Sequence, residues 1–102
     1  MNYITVVRGK LKAASQQEAQ MDHDAAVEKL SAMTRPMGAI GHRAYLNPQD
    51  PMEFLAVDTW NNLEGLQSFM SNPNVAEEFG KLFEGMPDIS VWGESGWASF
   101  SD

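Results

Sequence analysis

From Tyr3 to Leu11 the chain alternates on a period of two, with Tyr3, Thr5 and Val7 on one side and Ile4, Val6 and Arg8 on the other. That period predicts a β-strand, and apolar residues on both sides predict that both faces of its sheet are covered. The period then changes. Ser15-Gln16-Gln17-Glu18 is a capping box, in which hydroxyl and carboxylate satisfy the free N–H groups that open a helix. Ala19, His23, Ala26, Val27, Leu30 and Met33 follow at spacings of three and four, and Arg35-Pro36 ends the run. This stripe is expected to pack on the sheet.

Gly38 and Gly41 flank a second strand running to about Leu46, and Asn47-Pro48-Gln49-Asp50-Pro51 is a turn-forming connector, so strands two and three are read as a hairpin. Strand two places Ile40, His42, Ala44 and Leu46 on one face, with Arg43 and Tyr45 opposite. Strand three places Phe54, Ala56, Asp58 and Trp60 on one face and Leu55, Val57 and Thr59 on the other. Asn61 to Glu64 has the pattern of a second helix start, with Asn61 as cap, and Leu63, Leu66, Phe69 and Met70 align along the helix that follows. Pro73 suits the first turn of a further helix, where its missing N–H costs nothing, and Val75, Phe79, Leu82 and Phe83 are its buried stripe. Pro87 closes it. A last strand is expected from Ile89 to about Phe100, with Gly93 and Gly96 marking a bulge or bend.

No repeat, linker or low-complexity run interrupts this order, so residues 1–102 are read as a single domain. The order strand-helix-strand-strand-helix-strand, with the second helix broken in two, is the split βαβ arrangement of ferredoxin-like folds. The class is α+β, a four-stranded antiparallel sheet with helices on one face. Its other face is too apolar to leave in water and calls for a second sheet, hence a homodimer.

A net charge of -7 disfavours nucleic acid and anionic membrane surfaces as partners. With no cysteine, disulfides, thiolate nucleophiles and cysteine-based metal sites are excluded. The N-terminus lacks a basic region followed by an apolar core, and no apolar run reaches roughly 18 residues, so a cytoplasmic location is expected. There is no glycine-rich phosphate loop, GxSxG or HExxH motif. His23 and His42, even with Asp22 and Asp24 nearby, make a weak metal pair, so neither metal nor cofactor is expected.

Asp50-Pro51, Phe54, the acidic Asp58, Trp60, Leu66 and the helix after it resemble the antibiotic biosynthesis monooxygenase-type domain of the dimeric α/β barrel superfamily. The resemblance implies two sheets facing each other in a barrel at a dimer interface, with a pocket in each subunit between sheet and helices. It also implies cofactor-free oxidation of polyphenols or quinols as one activity, with haem degradation as another. In the haem-degrading branch the strand-one asparagine falls at Val7 and the axial histidine at Phe79, leaving only Trp60 in common. Without an imidazole there the iron lacks its ligand, and haem is not expected. Histidines found along this helix region in other members fall at Phe69 and Asn74.

Within that frame His42 is the candidate base for a phenolic proton, or else a histidine bonded within the core or dimer seam. Asp58 shares the face of Trp60; buried, it requires a partner such as His42 or Arg8, and exposed, it is an edge carboxylate. Trp60 is a wall for a planar substrate or a core residue, and Phe69 stands with it. His23 lies in a stripe that faces both sheet and expected pocket. Tyr45 and Arg43 orient a substrate oxygen or pair across the dimer interface. The methionines read as adaptable packing, and Glu77, Glu78, Lys81 and Glu84 as the solvated face of a helix. The leading reading is a cofactor-independent monooxygenase acting on a small aromatic ligand. Its catalytic residues are His42 and Asp58, and Trp60, His23, Tyr45 and Phe69 contact the substrate. The alternatives are an oxygen-independent isomerase or cyclase using His42, and a non-catalytic binding module. A polar group facing an apolar pocket favours an enzyme, whereas a pocket filled by Trp60, Phe69 and Met70 favours the module.

Overall fold

A computed structural model describes all 102 residues. The elements run β1 (Tyr3–Lys10), α1 (Gln16–Thr34), a 3₁₀ turn (Arg35–Met37), β2 (Ala39–Asn47), β3 (Asp50–Trp60), α2 (Leu63–Met70), α3 (Pro73–Leu82) and β4 (Asp88–Gly93). All strand pairs are antiparallel, in the spatial order β2-β3-β1-β4. This is the ferredoxin-like α+β fold expected from the element order. No helix is long and apolar enough to cross a membrane.

The local signals explain most boundaries. Ser15 caps α1 by accepting from the Glu18 amide. Pro36 sits inside the 3₁₀ turn, and Gly38, at φ 111°, makes the left-handed exit into β2 that side chains resist. The second helix is capped by Asn62 and not Asn61. The Asn61 amide is taken by the Gly38 carbonyl, which keeps that residue in the connection, while the Asn62 carboxamide accepts from Gly65. The last strand also stops earlier than expected. Gly93 pairs with Tyr3, the first residue of β1, so the ladder runs out of partner there. Residues 94–102 carry no regular structure, and Trp97 and Phe100 stand almost wholly in water.

The core lies between sheet and helices. Val7, Phe54, Ala56 and Trp60 from the strands meet Leu66, Phe69, Val75 and Phe79 from α2 and α3. An aromatic series runs through it, Trp60 to Phe69 to Phe79 to Phe83 to Phe54, with centroids 5.3 to 6.2 Å apart at tilted or edge-on angles. Each such side chain contributes roughly 1.5–3 kcal/mol by burial, and tilted pairs add a little more.

Helix α1 behaves differently. Only Ala19, Ala26 and Thr34 are buried, and His23, Val27 and Leu30 on the same stripe stay half-covered because the helix stands off from β2 and β3. Its tie to the rest runs through Glu78, expected on a solvated face but only 7% exposed because α3 packs against α1 there. Glu78 accepts from Lys29 at 2.5 Å and from Lys81 at 3.3 Å. The Lys29 hydrogen bond, above all, holds the Glu78 carboxyl below its ordinary range, and the same bond raises Lys29.

Candidate active site

The gap under α1 is a cavity of about 340 Å³ lined by 20 residues, 13 of them hydrophobic. That size suits a small planar molecule. Trp60 and Phe69 form part of its wall, with Val7, Ala56 and Phe79, while Val27 and Leu30 close it from the helix side. Met70 is 39% exposed and does not fill it.

Besides Ser31, Thr34 and Arg35 near the end of α1, the polar lining is one cluster. Period two along β3 puts Asp58 on the Trp60 face, and the β2–β3 register sets His42 opposite Asp58. The register shift at Ile40, between Ala39 and Gly41, is what brings His42 into that position after Ala39 has paired with Trp60. His42 Nδ1 lies 2.5 Å from Asp58 Oδ1, and Thr5 Oγ1 donates to Asp58 Oδ2 at 3.3 Å from the neighbouring strand. From α1, His23 reaches down so that its Nε2 is 3.0 Å from His42 Nε2, while its Nδ1 is 2.9 Å from Asp24 Oδ1. The side chains of His42, Asp58 and His23 keep 33%, 17% and 18% of their surface exposed, which places the cluster at the cavity rim.

The chemistry follows from this chain of contacts. An ionised Asp58 accepts from His42 Nδ1–H, which fixes the ring and leaves Nε2 as the lone-pair-bearing nitrogen, turned toward His23 Nε2. Thr5 holds the second carboxylate oxygen, so the pair has one orientation. An imidazole so held has the chemistry of a general base. Trp60 Nε1 is a second polar feature: the indole is 1% exposed and its N–H is buried without an acceptor, an unusual cost for a core tryptophan.

The structure therefore brings together His42, Asp58, His23, Trp60 and Phe69 around one cavity, five of the six residues singled out from the sequence. It separates Tyr45 from them. Tyr45 projects from the opposite face of β2, half exposed beside Arg8 and Glu53, and cannot touch anything in the cavity. Arg8, one of two partners considered for Asp58, is bound on that far face to Glu53 at 2.5 Å, leaving His42 as the partner. Two contributors were not foreseen. Thr5, fully buried, pairs with Asp58 in the β1–β3 register, which strand alternation alone does not supply. Arg35, at the helix end, also lines the cavity, as its one arginine or lysine, and had been read only as a helix terminator.

The fold and cavity define a ferredoxin-like domain with a binding space between sheet and helices, and solved structures share that architecture. A conserved protein from Methanosarcina mazei is 15% identical, with a TM-score of 0.68 over 90% of this chain and 91% of its own. SnoaB, a cofactor-independent oxygenase from Streptomyces nogalater, is 10% identical, with a TM-score of 0.65 over 94% of this chain and 95% of its own. A Bordetella bronchiseptica protein bearing the name "putative antibiotic biosynthesis monooxygenase" is 13% identical, with a TM-score of 0.70 over 91% and 96%. In fold, then, the chain is similar to proteins named antibiotic biosynthesis monooxygenases. No family model matches the sequence, and no curated protein does.

Proposed function

We propose that this protein is a cofactor-independent monooxygenase that oxidises a small phenol or quinol in the cavity between sheet and helices. The observation that carries the proposal is the Thr5–Asp58–His42 chain opening on an otherwise apolar space. In this reading His42 Nε2 takes the phenolic proton and Asp58 keeps the ring in place and offsets its charge. The electron-rich phenolate then reacts with oxygen directly. Trp60 and Phe69, already in contact with their centroids 5.3 Å apart, form one aromatic wall against which the substrate ring packs. SnoaB, of the same fold, is named a cofactor-independent oxygenase, which supports the reaction class.

The acting species is proposed to be a homodimer whose sheets face each other through Ile4, Val6, Leu55, Val57, Tyr45 and Trp92. An oxygen-independent isomerase or cyclase would use the same dyad, because a base oriented by a carboxylate moves protons whether or not oxygen follows. Oxygen uptake over anthrones, naphthols and quinols separates the two. The expected result is uptake above the spontaneous rate, lowered about 100-fold or more in His42→Ala. Trp60→Phe, which keeps an aromatic residue but shrinks the wall, should raise KM. Turnover of a substrate without oxygen consumption would select the isomerase, and no turnover by folded protein would leave the binding module.

A further inference from the structure

His23 and His42 are the chain's only histidines, and they meet nitrogen to nitrogen. Their ring centroids are 5.2 Å apart and the planes differ by 27°, while the two Nε2 atoms are 3.0 Å apart. The difference between the two distances is the sum of two imidazole radii, so the rings meet edge to edge and almost coplanar, with the Nε2 lone pairs head-on. Both outer nitrogens are engaged by carboxylates, His42 Nδ1 by Asp58 and His23 Nδ1 by Asp24. A carboxylate accepts only, so each Nδ1 carries hydrogen, and two neutral rings then have none left for the 3.0 Å contact between them. Two lone pairs at that distance repel unless a cation lies on the axis. On the axis a metal ion would be about 1.5 Å from each nitrogen, against the about 2.0–2.1 Å that zinc–imidazole bonds require, and off the axis neither of the head-on lone pairs would point at it. A proton fits, because 3.0 Å is an ordinary N–H···N separation.

We infer that His23 and His42 act as one base, binding a single proton jointly between their Nε2 atoms, so that His23 is a second proton-handling residue of the site. The inference deepens the proposed oxygenase and rests on that reading for its catalytic meaning, though the joint proton stands on geometry alone. The base starts as the neutral pair, with no proton between its Nε2 atoms: the phenolic O–H bond breaks with its electron pair left on oxygen, and an N–H bond forms at the vacant Nε2 of His42. The proton is then shared with His23 Nε2. The resulting cation is bracketed by Asp58 on β3 and Asp24 on α1, with Thr5 of β1 beyond Asp58, and Arg35 is the one arginine or lysine along the cavity wall. On reset the proton leaves to water at the rim, where the Asp24 side chain is 63% exposed.

The test needs no substrate. In ¹⁵N-labelled protein the carbon-bound ring protons of two histidines report all four ring nitrogens through the fall from pH 8 to pH 5. The expected result is one proton taken up by both rings with a single common midpoint, and a scalar coupling between the two Nε2 atoms in the protonated form. In His23→Gln, His42 should titrate alone with Nδ1–H retained. Two independent titrations with separate midpoints and no coupling would overturn the inference. Kinetics give a second readout: His23→Gln should lower kcat for oxygen uptake about tenfold or more, with KM within about twofold, and added imidazole should restore part of the loss in His23→Ala. An unchanged kcat would sink the catalytic role. A joint proton in a protein that consumes no oxygen on any substrate would instead retain the pair and discard the oxygenase.

Discussion

Gly65 has no room for a methyl group. A Cβ there would lie 1.8 Å from the carbonyl oxygen of Met37, a backbone atom fixed at the end of the 3₁₀ turn. Helix α2 can approach that turn only because residue 65 has no side chain, and the same approach seats Leu66 and Phe69 beneath the cavity. Gly65→Ala is therefore expected to cost more than about 2 kcal/mol, read as a lower urea midpoint with an unchanged slope. Gly80, which has nothing within 4 Å, is the control: Gly80→Ala should be neutral or slightly stabilising. At this scale much of the site was legible. His42, Asp58 and Trp60 follow from counting by twos along strands, which needs no knowledge of the fold. Thr5 and Arg35 did not, because their relevance depends on a cross-strand register and on where a helix ends in space.

Among the elements, α1 contributes the cavity by failing to close on the sheet. Its capping box and its terminator were plain in the sequence, but the stripe Ala19, His23, Ala26, Val27, Leu30 reads the same whether the helix packs tightly or stands away. What holds it at that distance includes Glu78, which pins α3 to α1 through Lys29. Period alone put Glu78 on a wet face, since its burial comes from a helix 49 residues earlier in the chain. The pH dependence follows from its depressed folded carboxyl. The stabilisation is present above the ordinary value of 4.5 and is lost as pH falls through the lower folded value. Lys29, raised above 10.5, has the opposite sense, and its share is lost as alkaline pH passes that value. Glu78→Gln should accordingly melt below the parent at pH 7, with the gap closing toward pH 3 and narrowing in high salt, as thermal scans in matched buffers would show.

For the whole molecule, the face of the sheet turned away from the helices is where the proposed homodimer would form. Val6 and Val57 stand in register at its centre, Ile4 beside them, with Trp92 60% exposed on one edge strand and Tyr45 51% exposed on the other. An apolar surface across four strands is what a second copy of the same sheet would bury. Light scattering at micromolar concentration should give twice 11.3 kDa, and Val57→Lys should shift it to the monomer while leaving the Asp58–His42 pair intact on the other side. A monomeric parent would remove the dimer from the proposal.

The sequence by itself determined the element order, the alternation of faces along β1 and β3, the Ser15 cap of α1 and the absence of motifs for phosphate or thiolate chemistry. These depend on backbone periods and hydrogen-bonding within a few residues. Only the tertiary structure decided that α1 would stand off and leave a cavity, that the shift at Ile40 would aim His42 at Asp58, that His23 would meet it head-on, and that Tyr45 would face away. Each of these rests on a distance between segments far apart in the chain. Such distances are fixed by how volumes pack across the core, which no local pattern encodes.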